Sequence, residues 1–256
     1  MICTRLINAS RTRMKDIKVE KLIVGLGYIS LKNSAGGAGL SYVLRNRLHG
    51  GCSHLEDAGN FEGKPLEEIA ELFMDHHSPL KASLGLAAIN STAPHDSNTY
   101  SETDIIDLLN IRNGEKVGMV GRFEPLVKKI LTLTPNLVVL EEPSHFHNQQ
   151  DDKHSNDELK DCRIVIITAT TLLNKTFEPI LEASANADRK VLLGASTPLY
   201  PEFYEGTGIN FASGVIVEDA DRVAAIAAQG GGVRNFRGLT RKVTLLINSE
   251  KNHKKI

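Results

Sequence analysis

The residues of this chain best suited to chemistry sit in short polar turns that follow apolar runs. Val117-Gly118-Met119-Val120 runs into Gly121-Arg122-Phe123-Glu124-Pro125. This is the pattern of a parallel strand entering a tight turn and then a helix with proline in its first turn. Arg122 offers a fixed cation whose fork matches a carboxylate or phosphate. Glu141 and Glu142 stand just past a second apolar run, where an acid can hydrogen-bond ribose hydroxyls or ligate a metal; a solvated strand end is the plain alternative. Thr168-Ala169-Thr170-Thr171 and Asn174 follow a third run, and Gly194-Ala195-Ser196-Thr197-Pro198 follows a fourth. Hydroxyls and amides in such places can orient an anionic group, although Asn174 could equally cap a helix. Ser196 and Thr197 before Pro198 read as a helix N-terminus ready for an anion. Turns after successive parallel strands converge on one sheet edge, so together they say more than each does alone.

Other candidates carry less. In extended chain, His145-Phe146-His147 points two imidazoles to one face, so Glu141 and His145 are the residues a metal would take first. The polar residues that follow, Asn148 to Asn156, also fit a surface loop with incidental histidines. His76-His77 falls at an expected helix end, where a cation is favourable without any ligand, and Cys52 with His54 lacks two further ligands. Gly230-Gly231-Gly232-Val233-Arg234 and Arg237-Gly238 form a basic loop that either closes over an anion or simply connects. The turn at Gly121 is not G-x-G-x-x-G, so a dinucleotide is not its obvious occupant. No Ser-His-Asp or Cys-His nucleophile pattern stands out.

The elements that must position these residues fall into two groups. Lys21 to Leu31 suits a strand, the glycine-rich turn Ser34 to Gly39 follows, and a second β-like segment lies near Leu40 to Leu44, a hairpin signal. Pro65 and Pro79 then open helices, the first with Leu66, Ile69, Ala70 and Phe73 at helical spacing, the second covering Ala82 to Ile89. The polar stretch Asn90 to Thr103 reads as a linker or hinge. Beyond it, strand-like runs recur at Val117 to Val120, Leu137 to Leu140, Ile164 to Ile167 and Val191 to Leu193, with helices at Glu124 to Leu131 and Thr176 to Ala185. Phe211 to Val217, a helix over Asp219 to Ala228 and Val243 to Ile247 complete the series. Continuous apolar strands alternating with helices indicate an α/β domain with a parallel sheet covered on both faces. The expected division is therefore an α+β domain over residues 1–100, a hinge near 90–103, and an α/β domain over 104–256.

With 256 residues the chain can bury a sizeable core, and 41% hydrophobic with 24% charged residues is ordinary for a globular protein. A formal charge of -1 gives no general attraction to nucleic acid or anionic membrane. No apolar run approaches the roughly 20 residues that span a bilayer. Cys3, Cys52 and Cys162 are far apart and form no C-x-x-C, which argues against a disulfide framework and for the cytoplasm.

Four segments in this order, Gly85 to Asn90, Val117 to Pro125, Ile167 to Asn174 and Leu193 to Leu199, resemble a prokaryotic family of unknown function labelled "putative heavy-metal chelation". The resemblance spans most of the chain. It implies a small domain like the enolase N-terminal domain joined to a Rossmann-like domain, with a site in the cleft between them. The function expected on that basis is binding of a small anionic or metal-chelating ligand, with a divalent heavy metal as the implied cofactor. Asn90, Arg122, Glu141, Thr170, Asn174, Ser196 and Thr197 are the expected lining. The alternatives are an enzyme using a nucleotide-containing cofactor such as S-adenosylmethionine, with Glu141 on the ribose, and a non-enzymatic sensor or interaction module. The expected partners are a small molecule or metal, with no nucleic acid and no membrane, and a homodimer is compatible with this reading.

Overall fold

A computed structural model describes residues 2–48, 51–95, 97–141 and 156–247. It opens with a helix not anticipated above, α1 (Ile2–Arg11), which buries Ile2, Cys3, Leu6, Ile7 and Ser10 on one face. Strands β1 (Val19–Val24), β2 (Tyr28–Asn33) and β3 (Ala38–Tyr42) then form an antiparallel sheet in sequence order. The single strand expected over Lys21 to Leu31 is thus two strands, parted at Gly25-Leu26-Gly27. Gly25 is there because a Cβ would lie 2.1 Å from the carbonyl oxygen of Ala227. The glycine-rich hairpin is present as expected. The side chain of Asn33 shapes it by accepting from the N–H groups of Ala35 and Gly37 at 2.9 and 3.1 Å, and Gly36 takes φ +87°.

Both proline-led helices form, as α2 (Leu66–Glu71) and α3 (Pro79–Asn90). Ser78 caps α3 by accepting from the Lys81 N–H at 3.3 Å. Residues 82–89 of α3 are all buried. A Cβ on Gly39 would lie 2.2 Å from the Ala87 carbonyl oxygen, so β3 and α3 meet backbone to backbone. That contact brings the end of α3, Asn90, beside β3.

The second sheet is built from β4 (Tyr100–Ser101), β5 (Val117–Val120), β6 (Leu137–Leu140), β7 (Ile164–Thr168), β8 (Arg189–Leu193), β9 (Phe211–Val217) and β10 (Thr240–Leu246). Helices α4 (Ile105–Leu109), α5 (Glu124–Leu133), α6 (Phe177–Ala183) and α7 (Ala220–Ala228) intervene. The strand order is β4-β10-β9-β8-β7-β5-β6. From β9 to β6 the pairing is parallel, and β10 and β4 add antiparallel strands at the far edge. Ile164, Val165, Ile166 and Ile167 are all fully buried, as a strand covered on both faces requires. The fold class is therefore α/β, a mostly parallel seven-stranded sheet preceded by a smaller antiparallel one. Two residues of the stretch expected to be linker form β4.

In chain order the parallel strands follow the doubly wound arrangement in which the first and third are neighbours, here β5 and β7. Ligands of such sheets lie outside the carboxyl ends at that reversal. The two sheets share a core: Leu40 of β3 packs with Val217, Val223, Ala227 and Phe236.

Candidate functional site

The polar turns do meet at the carboxyl edge of the large sheet. Gly121 takes φ +81°, and a Cβ on it would lie 2.7 Å from Cγ2 of Thr168, so the turn after β5 touches the end of β7. On the other side, Gly194 takes φ +133° with its Cβ position 3.8 Å from that of Ala169. The Gly121 N–H donates to the Leu140 carbonyl at 2.8 Å, which sets Glu141 next to Arg122. The ends of β6, β5, β7 and β8 therefore form one continuous ledge, and two glycines allow it to close up.

Arg122 is exposed, and its Nε donates to Glu124. Glu124, with Glu141 contributing more weakly, keeps the guanidinium charged and pushes its pKa above the ordinary value. Glu141 is exposed at the end of β6. Thr168 turns the chain by accepting from the Thr170 N–H at 3.4 Å, with the two hydroxyls 3.1 Å apart. Thr170 is half-buried on this ledge. Asn174 lies further on, in the turn before α6: its Oδ1 accepts from the N–H and hydroxyl of Thr176 at 3.2 and 2.7 Å. The N-cap position of α6 is Thr176, with no side-chain cap hydrogen bond, so Asn174 shapes the turn ahead of the helix rather than capping it.

The turn after β8 departs from expectation. No helix begins at Pro198. The chain has no regular structure from Thr197 to Tyr200 and then makes only a short 3-10 turn, Pro201–Tyr204. The reason is tertiary. The Tyr42 N–H donates to Ser196 Oγ at 2.8 Å, and the Tyr204 hydroxyl donates to the Pro198 carbonyl at 2.6 Å. Together these bonds tie down the segment from Ser196 to Pro198. Ser196 is therefore a tie between β3 and the large sheet rather than a free anion ligand.

Asn90 makes the second tie. Its Nδ2 donates to the Leu40 carbonyl at 2.9 Å and the Ser196 carbonyl at 3.2 Å. Among the described residues, Asn90 Oδ1, Thr197 Oγ1 and Ser41 Oγ are buried with no hydrogen-bond partner. Each belongs to, or adjoins, a residue of this junction. Buried polar atoms are nearly always paired, so three orphans around one seam are unusual. Sequence reasoning missed Ser41 and Tyr42, since nothing local distinguishes them from other strand residues.

Metal ligands do not gather here. Among the described residues no group of three or more His, Cys, Asp and Glu side chains could hold a metal. The ledge offers hydroxyls, an amide and the carboxylates of Glu124 and Glu141, which are hard oxygen donors rather than the thiolates and imidazoles that heavy metals prefer, and one arginine, which cannot ligate a metal. His145, with Glu142 and His147, lies outside the described residues.

The fold and site define a two-sheet α/β protein with a polar ledge at the carboxyl ends of its parallel strands and ties from the smaller sheet. Two family models match, each described as "Putative heavy-metal chelation": DUF4213 over residues 7–93 and DUF364 over residues 104–246. The chain belongs to the DUF364 family. An uncharacterized protein of Methanocaldococcus jannaschii is 24% identical over 95% of both chains. A DUF364-family crystal structure from Desulfitobacterium hafniense, of unknown function, matches with TM-score 0.77 and 27% identity over 96% of this chain and 97% of that one. Another, from Pyrococcus horikoshii, matches with TM-score 0.80 and 19% identity over 96% and 100%. The family name suggests heavy-metal chelation, and the printed descriptions of these relatives assign no function. No helix among the described residues is long and apolar enough to cross a membrane.

Proposed function

We propose that residues 7–93 and 104–246 act as two domains, and that a small anionic or metal-chelating ligand binds at the seam between them. The observation that carries this reading is the pair of buried, unpartnered atoms Asn90 Oδ1 and Thr197 Oγ1 beside the ledge of strand-end turns. Leaving such atoms unpaired costs about 1–3 kcal/mol each, and a ligand hydrogen-bonding to them recovers that cost on binding. Arg122 supplies the positive charge from the turn after β5, and Thr170 a hydroxyl from the turn after β7. Ser196 and Asn90 Nδ2 hold the two sheets in register rather than touching the ligand. On this reading a heavy metal would arrive inside a chelate whose anionic groups the protein grips, in keeping with the lack of a soft-metal cage among the described side chains.

A second reading keeps one specific support. Glu141 follows β6, the neighbour of β5 on the outer side of the reversal, where an acid meets ribose in nucleotide-binding sheets. Thermal-shift titration separates the two. Citrate, citrate with a divalent metal, inorganic phosphate, S-adenosylmethionine and adenine nucleotides are each added to wild type, Arg122→Ala and Glu141→Ala. Saturation to a hundred times Kd stabilises the native state by about 2.7 kcal/mol. Anion-dependent stabilisation lost in Arg122→Ala supports the proposal. A response confined to the nucleoside compounds and lost in Glu141→Ala replaces it with the cofactor reading, and no response to any probe refutes both.

A further inference from the structure

A second cluster of reactive groups lies away from the ledge, where α1 meets the segment after β7. Ile2, Cys3, Met74, His76, Thr171, Leu172, Lys175, Phe177 and Glu178 line a small, partly open cavity with room for a molecule the size of water or peroxide. Within it Lys175 Nζ lies 3.7 Å from Cys3 Sγ. The same nitrogen donates to the Phe73 carbonyl at 2.6 Å and sits 4.2 Å above the Phe73 ring centre. Three elements distant in sequence thus converge on one amine.

Lys175 reaches this point at a cost. It adopts φ +62°, a left-handed conformation that disfavours any residue with a Cβ. Strain of this kind persists where the surroundings over-determine it, and it clusters at functional positions. Burial pushes the amine below the usual lysine range, although the thiol acts against this. Burial likewise raises the thiol, partly offset by the lysine. Both shifts act in one sense, each favouring the uncharged form, a thiol and an amine with a free lone pair.

We propose that Cys3 and Lys175 form an oxidant-driven covalent bridge, in which peroxide converts Cys3 to a sulfenic acid and Lys175 Nζ displaces its oxygen to close an S–N bond. In the first step the sulfur gives two electrons to hydrogen peroxide. The O–O bond breaks, an S–O bond forms and water leaves. In the second step the nitrogen lone pair attacks sulfur as the S–O bond breaks, and the departing hydroxide takes a proton from nitrogen and leaves as a second water. Thiol, amine and one peroxide become a sulfenamide and two waters. Condensation of a sulfenic acid with a nearby nitrogen is established cysteine chemistry, and thiols reverse it. The bridge fastens α1 to the segment that continues from Thr168 and Thr170, so peroxide locks the smaller unit against one wall of the ledge.

The test is mass spectrometry of the full chain, reduced and then treated with stoichiometric peroxide, digested without reductant. Exposed Cys52 and buried Cys162 serve as internal references. The expected product is the Cys3 peptide joined to the Lys175 peptide, lighter than their sum by two hydrogens and separated by dithiothreitol. The joint species disappears in Cys3→Ser and in Lys175→Arg, which keeps the cation but not the nucleophile, and in Lys175→Arg Cys3 continues to sulfinic acid. Because the wild-type product decides the matter alone, a variant that fails to fold does not blunt the test. Recovery of Cys3 as free thiol while Cys52 is oxidised overturns the bridge. So does recovery of Cys3 as sulfinic acid or as a disulfide, unattached to Lys175. A joined product that retains oxygen overturns the condensation step.

Discussion

Thr197→Val replaces a buried, unpartnered hydroxyl with a methyl group of nearly the same shape. Thr197 is 3% exposed and its Oγ1 meets no protein partner. An orphaned hydroxyl costs about 1–3 kcal/mol, and removing it leaves no other group unpaired. Taking the low end, the variant is more stable by about 1 kcal/mol, which raises the melting midpoint by about 2–4 °C in a chain of this size. Thr171→Val is the matched control. Thr171 is 1% exposed, but its hydroxyl donates to the Thr168 carbonyl at 2.7 Å. The same substitution there loses a hydrogen bond and lowers stability by about 1 kcal/mol. The assay is chemical and thermal denaturation of wild type and both variants followed by circular dichroism, with anion titration of the folded proteins. Opposite signs for the two variants, together with weakened anion binding by Thr197→Val alone, fit an atom reserved for a ligand. Equal destabilisation of both variants refutes the reasoning, because it shows that Thr197 Oγ1 is hydrogen-bonded in solution.

Two further predictions rest on other parts of the fold. Gly85→Ala would normally favour a helix by about 1 kcal/mol, but here its Cβ position lies 2.1 Å from the Phe73 amide nitrogen. Forcing α3 away costs about 1–3 kcal/mol or more, so the denaturation midpoint falls rather than rises. Lys190 is 6% exposed, its Nζ donates to the Ser184 carbonyl at 3.2 Å, and burial lowers its pKa. The unfolded chain then binds the proton more readily, so stability rises as pH climbs from the folded pKa toward the ordinary lysine value. Lys190→Met should be more stable at neutral pH and should lack that alkaline rise; an unchanged pH profile refutes the assignment to Lys190.

Much of the fold could be read from the chain because its signals are local. Ile164 to Ile167 is a continuous apolar run between polar turns, which only a strand covered on both faces satisfies. Pro65 and Pro79 mark helix starts by their fixed φ and missing donor. Helix α1 was equally legible in principle: Ile2, Leu6 and Ile7 lie on one face, with Arg5 and Arg11 outside it. The break at Gly25 was less accessible. Leu26 in the middle of the turn keeps the look of a strand, and the turn is dictated by the Ala227 carbonyl at the far end of the chain.

The site divides along the same line between local and distant causes. The turns after β5, β6, β7 and β8 were recognisable one by one, and the parallel order then requires them to share an edge. Their division of labour was not recognisable. Ser196 looks like a capping serine until the N–H of Tyr42, 154 residues away in sequence, takes its oxygen. Asn90 looks like a helix end until its amide spans Leu40 and Ser196. Whether a hydroxyl is spent or spare depends on partners that no spacing records. Ser196 and Thr197 are adjacent, both buried, and chemically alike, yet one is bound by the smaller sheet and the other by no protein group. On the function proposed above, the spare hydroxyl is the one that would discriminate among ligands, because an unpaired buried group gains most from a new hydrogen bond.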